Sequence, residues 1–152
     1  MARIYTRTGD TGETSLFDGQ RVLKSHIQIE VLGDLDELNA VIGMCPPFDL
    51  RDYIQNMLLV IGAMIAGGRC EFGDTNTLRL EEAIDKLSSE LPPLTRFILP
   101  RGPVHLARTV CRRAERHLFI VEPPAEVLKF INRLSDYLFM VARTQSEDVI
   151  WN

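Results

Sequence analysis

PVHLARTVCRRAERHLFIV, residues 103–121, carries two patterns on one period. Val104, Ala107, Cys111, Ala114, Leu118 and Val121 recur at alternating spacings of three and four, the mark of one buried face of an α-helix. Arg108, Arg112 and Arg116 stand at i, i+4 and i+8, a cationic stripe beside that face. Pro103 suits a first helical turn, where its missing N–H costs nothing. The stretch therefore predicts a helix over 103–121, core on one side and basic along its margin.

The same period recurs on either side. Val127, Ile131, Leu134, Leu138 and Val141 predict a helix over 125–146. Val31, Leu35, Leu38, Ile42 and Cys45 predict one over 28–44, whose other face carries the small residues Gly33, Ala40 and Gly43 around Asp36. Such a face lets a further helix approach closely, with Asp36 inside the contact. Pro46 and Pro47 break the chain, with Asp49 as the expected N-cap of a helix over 50–66 that is apolar nearly all round in its second half. Leu80, Ala83, Ile84, Leu87 and Leu91 predict a helix over 78–91, closed by the prolines that follow. No period-2 run of strand length accompanies them. The expected fold class is all-α: one domain over 1–152, a five-helix bundle joined by short loops.

With 152 residues, the chain suffices for one well-buried domain and falls short of two ordinary ones. A net charge of −4 gives no pull toward nucleic acid or an anionic membrane, so an anion site must come from a local cluster. Cys45, Cys70 and Cys111 are odd in number and lack metal-ligand spacing. Cys111 lies on an apolar stripe as a small hydrophobe, and reduced thiols fit a cytoplasmic protein. MARIYTR at the start has no apolar signal region, and the longest apolar run, 57–68, is 12 residues, too short to span a bilayer. A soluble, cytoplasmic protein is expected.

Three segments hold residues suited to chemistry. In the 103–121 helix, Glu115 stands three residues from Arg112 and is placed to hold its guanidinium; Arg113 points elsewhere, toward an internal or interface ion pair. A charge run of this kind is either a solvated, salt-bridged face or an anion site. In FINRLSDYLF, 130–139, Asn132 and Asp136 share a face and Ser135 is polar in an apolar stretch. Buried polar groups need partners, and an arginine of the 103–121 helix is the natural one. A purely structural hydrogen-bond network is the plainer reading.

The opening segment IYTRTGDTGETSLFDG, 4–19, cannot be a helix and makes a poor strand. Its hydroxyls and glycine N–H groups are the ingredients of a phosphate nest, with Lys24 as an added cation; a turn-rich surface arm is the alternative. It lacks the P-loop pattern, the chain has no Glu-x-x-His pair, and His26, His105 and His117 share no ligand spacing.

Taken in order, YTRTGDTGETSLFDGQRVLK, GDLDELNAVIG, FILP and ARTVCRRAER…FINRLSDYLFMVAR resemble the PduO-type ATP:cob(I)alamin adenosyltransferases over nearly the whole chain. The resemblance implies a homotrimer of five-helix subunits with an N-terminal nucleotide-binding loop and active sites between neighbours. It implies transfer of the 5′-deoxyadenosyl group of ATP to the cobalt of a cobalamin or other corrinoid, with Mg²⁺ and release of triphosphate. Thr6, Arg7, Thr8 and Gly9 match the loop around the ATP phosphates, with Thr14 and Ser15 further along it, and Lys24 matches a phosphate-contacting lysine. Arg112 and Arg116 match arginines at the nucleotide, accompanied by Glu115, with Asn132 beside it; Arg113 is grouped with them. Asp36 and Arg108 match a pair that bridges subunits, and Asp136 is grouped with these site-organising residues. Phe97 matches the aromatic under the corrin ring that displaces its lower axial ligand.

A flavoprotein reductase and an adenosylcobalamin-dependent enzyme are the partners this implies; nucleic acid and membrane are not. One departure stands out. The family reads F-I-L-P-G-G before several small residues, whereas this chain reads FILPRGPVHLAR, with Arg101 in place of the first glycine and a shorter loop. That loop borders the corrinoid, so a non-catalytic ATP-binding or cofactor-delivery relative stays open as the alternative, and a helical oligomer without ligand is a third reading.

Overall fold

A computed structural model describes residues 4–151. A short hairpin, β1 (Glu13–Ser15) and β2 (Arg21–Leu23), precedes five helices: α1 (Ile27–Met44), α2 (Arg51–Ile65), α3 (Asp74–Glu90), α4 (Pro103–Leu118) and α5 (Ala125–Gln145). The five expected helices are all present.

α4 packs on both α5 and α1; α3 covers the other side of α5, and α2 the other side of α1. The apolar stripes meet along these contacts. Val104, Ala107, Cys111, Ala114 and Leu118 of α4 are buried, as are Val127, Phe130, Ile131, Leu134 and Leu138 of α5. Burying each large side chain here contributes about 1.5–3 kcal/mol, which dwarfs any propensity term. Burial also raises the pKa of the Cys111 thiol strongly, keeping it protonated. Among the described residues no helix is long and apolar enough to cross a membrane.

Four expectations need correction. The opening segment is not free of strand: β1 and β2 pair antiparallel, with Thr14 opposite Val22. Three-residue strands are too short to show a period of two. The turn explains the pairing, because Gly19 has φ +86° and the Asp18 Oδ1 accepts from the Gln20 N–H at 2.9 Å. Leu16 and Val22 bury their side chains, and the Phe17 N–H donates to the Ala66 carbonyl at 2.9 Å, seating the hairpin on the end of α2. Asp49 does not cap α2. Leu50 holds that position at φ 60°, and Asp49 Oδ1 accepts from the Leu50 N–H at 2.9 Å instead. α3 begins four residues before the expected start at 78, with Asp74 favourably placed in the first turn. α4 stops at Leu118, so Val121 lies beyond the helix, only half-buried, before Pro123 and Pro124.

Candidate functional site

Two faces of α4 have separate tasks. Arg113 points to α1, where its Nε donates to Asp34 Oδ1 at 3.0 Å and its Nη2 donates to Glu37. His117, one turn further, bonds Asp34 Oδ2 through Nδ1. The Asp34 side chain is 6% exposed, so this is an acid buried at the α1–α4 seam and held by two cationic or polar partners. Arg113 is thus in an internal ion pair. Asp34 and His117 were not singled out from the sequence. The available signal was an acid within the Val31–Leu35–Leu38 apolar face, where a charge must find a partner.

The other face carries the stripe. Arg112 and Arg116 are exposed, and Arg116 Nη1 donates to the Arg112 carbonyl at 2.9 Å. The Arg112 guanidinium has no carboxylate partner among the described residues. Glu115, expected to hold it, instead accepts from Asn132 Nδ2 at 2.8 Å, which joins α4 to α5 beside the stripe. The carboxylate prefers the amide because Asn132 is fixed on the facing helix, whereas Arg112 leans out to solvent.

Asp136 also departs from expectation. Its partner is Arg133 of its own helix, whose Nη1 donates to Asp136 Oδ2 at 2.9 Å and whose Nε donates to Glu81 of α3 at 3.0 Å. Ser135 Oγ donates to the Asn132 carbonyl at 3.0 Å. No arginine of α4 satisfies these groups among the described residues. The spacing located the polar face correctly; the partner depended on which neighbouring helix it met.

Arg108 is half-buried, and its Nε donates to His105 Nδ1 at 3.4 Å. Burial, with the neighbouring Arg112 charge, lowers its pKa. Burial likewise lowers the pKa of His105, with the Arg108 charge adding to it and Asp148 opposing it. Asp36 is exposed, as are Gly33, Ala40 and Gly43. Neither Asp36 nor Arg108 has an ion pair among the described residues, and the small-residue face around Asp36 is uncovered.

The opening loop is braced from within. Thr6 Oγ1 and Thr8 Oγ1 lie 2.9 Å apart. Arg7 adopts φ 63°, with its guanidinium 5.5 Å from the centre of the Tyr5 ring. Lys24 comes so close to Gly9 that a Cβ there would stand 3.3 Å from its Nζ, and the Lys24 N–H donates to the Gly12 carbonyl at 2.9 Å. Thr8, Gly9, Ser15 and Lys24 are therefore gathered at one hairpin. The organiser missed in the sequence is Arg21, which donates to the Thr8 carbonyl at 3.0 Å, and to Ser15 Oγ and Glu13 Oε2 at 3.3 Å. Thr14 faces Val22 in the register and is half-buried. No hydrogen bond or ion pair joins this loop to α4 among the described residues. Within one chain, loop and stripe stand apart, with no direct polar link among the described residues.

Phe97 is 79% exposed, in the connection between α3 and α4. It lines an open, largely apolar cavity of about 610 Å³ with Leu94, Thr95, Arg96 and Trp151. Arg101 is exposed beside Gly102, whose φ of +82° turns the chain into α4. One group with metal-ligand chemistry occurs among the described residues: Glu30, Asp34 and His117, with ligand atoms within 4.8 Å of one another. Both Asp34 oxygens there are already engaged by Arg113 and His117.

Known proteins resemble this chain in sequence and fold. The chain is 41% identical over 171 residues to the corrinoid adenosyltransferase MMAB of Mus musculus, covering 94% of this chain and 72% of that one. It is 39% identical to the corrinoid adenosyltransferase PduO of Citrobacter freundii, over 98% of this chain and 51% of that longer protein. The fold matches a variant of the PduO-type ATP:corrinoid adenosyltransferase from Lactobacillus reuteri, complexed with cobalamin and ATP. That match has a TM-score of 0.89 and 31% identity, covering 99% of both chains. The cobalamin adenosyltransferase family model matches residues 4–145, and the chain belongs to that family.

Proposed function

We propose that this protein transfers the 5′-deoxyadenosyl group of ATP to the cobalt of cob(I)alamin or a related corrinoid and releases triphosphate. The observation that carries the reading is the Arg112 guanidinium, exposed and without a carboxylate partner beside the Glu115–Asn132 bond. A guanidinium left without a carboxylate on the outer face of a helix is suited to an anionic ligand. Cob(I)alamin is itself a strong nucleophile, so the protein needs neither nucleophile nor general base. The cobalt electron pair forms the Co–C5′ bond as the C5′–O bond breaks, and triphosphate leaves with that bond's electrons. The protein's task is to align C5′ with cobalt and to receive about four negative charges, which preorganised arginines, Lys24 and loop N–H groups are suited to do.

Arg112 and Arg116 then take the nucleotide on one side, with Asn132 and Glu115 fixing its edge. Thr6, Arg7, Thr8, Gly9, Thr14, Ser15 and Lys24 take the phosphates on the other. Arg113 is better understood as a support at the α1–α4 seam than as a phosphate contact, since Asp34 and Glu37 already hold it. The loop's donors are hard oxygens, including the Thr6 and Thr8 hydroxyls at 2.9 Å, a set suited to sharing Mg²⁺ with phosphates. Bound with ATP, Mg²⁺ supplies charge neutralisation for the departing triphosphate. Phe97 supplies an apolar wall for a corrin face and keeps water from the cobalt there.

The separation of loop and stripe supports a homotrimer in which neighbours complete each site. Asp36, exposed among small residues, and Arg108 are open for pairing across that contact. A flavoprotein reductase supplying Co(I), an adenosylcobalamin-dependent enzyme receiving the product, and a cytoplasmic location fit this activity.

The test is incubation with reduced cobalamin, ATP and Mg²⁺. Adenosylcobalamin and triphosphate are expected in equal amounts; ATP binding without turnover would sink the proposal. That outcome favours the delivery reading, which the Arg101 substitution keeps in view.

A further inference from the structure

Phe97 lies in an irregular connection, and its exposed ring has little around it to fix its direction. What holds it is the chain beyond α5. The Leu99 N–H donates to the Val149 carbonyl at 2.8 Å, and the Trp151 N–H donates to the Phe97 carbonyl at 2.9 Å. These bonds flank an isolated antiparallel bridge between Ile98 and Ile150. The Trp151 ring meets Phe97 edge-on, with centroids 6.5 Å apart.

This strap is itself tied down at one point. Arg143, in the last turn of α5, has a side chain only 4% exposed. Its Nε and Nη2 donate to Asp148 Oδ2 at 2.9 and 2.8 Å, and Nη2 also donates to the Pro92 carbonyl at 2.8 Å. One buried guanidinium therefore grips the strap and the start of the Phe97 connection together. Removing it would take from the half-buried Asp148 carboxylate and from the Pro92 carbonyl the one buried donor that joins them, so the segment would lose its anchor.

We infer that Arg143 is a positioning residue for the corrinoid half of the site, acting through Asp148 and the 149–151 strap to set the direction of Phe97. The inference rests on the proposed function in taking Phe97 as a corrin-facing wall. Displacing a wall by about 1 Å costs on the order of 10- to 100-fold where the geometry of the reacting centre depends on it.

Trp151 is the only tryptophan in the chain, so its fluorescence anisotropy reads the strap without any substrate. In Arg143→Met the anisotropy falls, KM for the corrinoid rises about tenfold, and KM for ATP stays within twofold. Electron paramagnetic resonance of the bound Co(II) corrinoid then shows a larger axially ligated fraction. Arg143→Lys restores part of each change. Should Arg143→Met fail to fold, Asp148→Asn keeps an acceptor of the same shape and moves the same readouts less far. Unchanged anisotropy in folded variants overturns the inference even if the protein turns out to lack transferase activity. So does an equal loss for ATP and corrinoid. A wild-type protein without turnover whose variants still lose anisotropy rejects the proposed function but keeps the clamp.

Discussion

Asp34→Ala is the substitution whose cost can be reasoned most fully. It deletes an acceptor of two bonds at the α1–α4 seam, to Arg113 Nε at 3.0 Å and to His117 Nδ1. Breaking a buried ion pair costs about 3–5 kcal/mol when the surviving charge is stranded. Arg113 is not stranded, because its side chain is 38% exposed and Glu37 remains beside it. The His117 side chain is 31% exposed, so its ring nitrogen has access to water. The cost is therefore the loss of the hydrogen bonds and a small void, about 2 kcal/mol. For a domain of this size that lowers the midpoint of thermal unfolding by about 4–8 °C. Glu37→Ala, which removes the more exposed partner, should cost less than about 1 kcal/mol. Thermal unfolding at one fixed protein concentration checks both, since any assembly makes the midpoint concentration-dependent. Equal costs for the two variants, or none for Asp34→Ala, would refute the idea that the buried acid organises the seam. The corresponding functional expectation is that Arg113→Ala lowers stability while leaving ATP affinity within about twofold; a loss of ATP binding in a folded variant would return Arg113 to the nucleotide.

Arg112→Ala should lower kcat by about 10²–10³ with little change in unfolding temperature, because its side chain is exposed and supports no packing. Steady-state kinetics beside calorimetry separates the two effects, and a thermal loss without a kinetic one would contradict the assignment. Asp36→Ala and Arg108→Ala should each shift sedimentation toward smaller species at low protein concentration. Unchanged profiles in both would remove the interface reading. For His105, burial places the folded-state pKa below the ordinary 6.5, so the unfolded chain takes up the proton first. Its contribution to stability is complete above about pH 6.5 and is lost as pH falls through the folded value. Denaturant titrations should show His105→Gln losing less stability than wild type between about pH 7 and pH 5, and parallel slopes would count against this.

Much of the architecture was legible because helical burial leaves a local record. A side chain repeated every three or four residues is seen in the sequence wherever a helix has one wet and one dry face. That is why the helices and the buried face of α4 were predicted, and why Arg112 and Arg116 could be placed on an adjoining stripe. The ends were less legible. Asp49 looked like a cap, yet the chain entered α2 through Leu50 with φ 60°, a geometry no residue type there announces. The hairpin was hidden because strands of three residues give periodicity no room, and its anchors, Arg21 and the Phe17–Ala66 bond, depend on where α2 ends.

Residue identity and spacing by themselves determined which side chains line each helix face, hence the polar stripe and the hydroxyl-rich loop. Tertiary structure alone decided who meets whom. It gave Glu115 to Asn132 rather than Arg112, Asp136 to Arg133, and Arg113 to Asp34 and Glu37. The reason is that hydrogen bonds and ion pairs act over about 3 Å, and the partner within that reach is set by which helices dock and in what register. Periodicity records that a face is buried or wet; it holds no information on what lies across the gap.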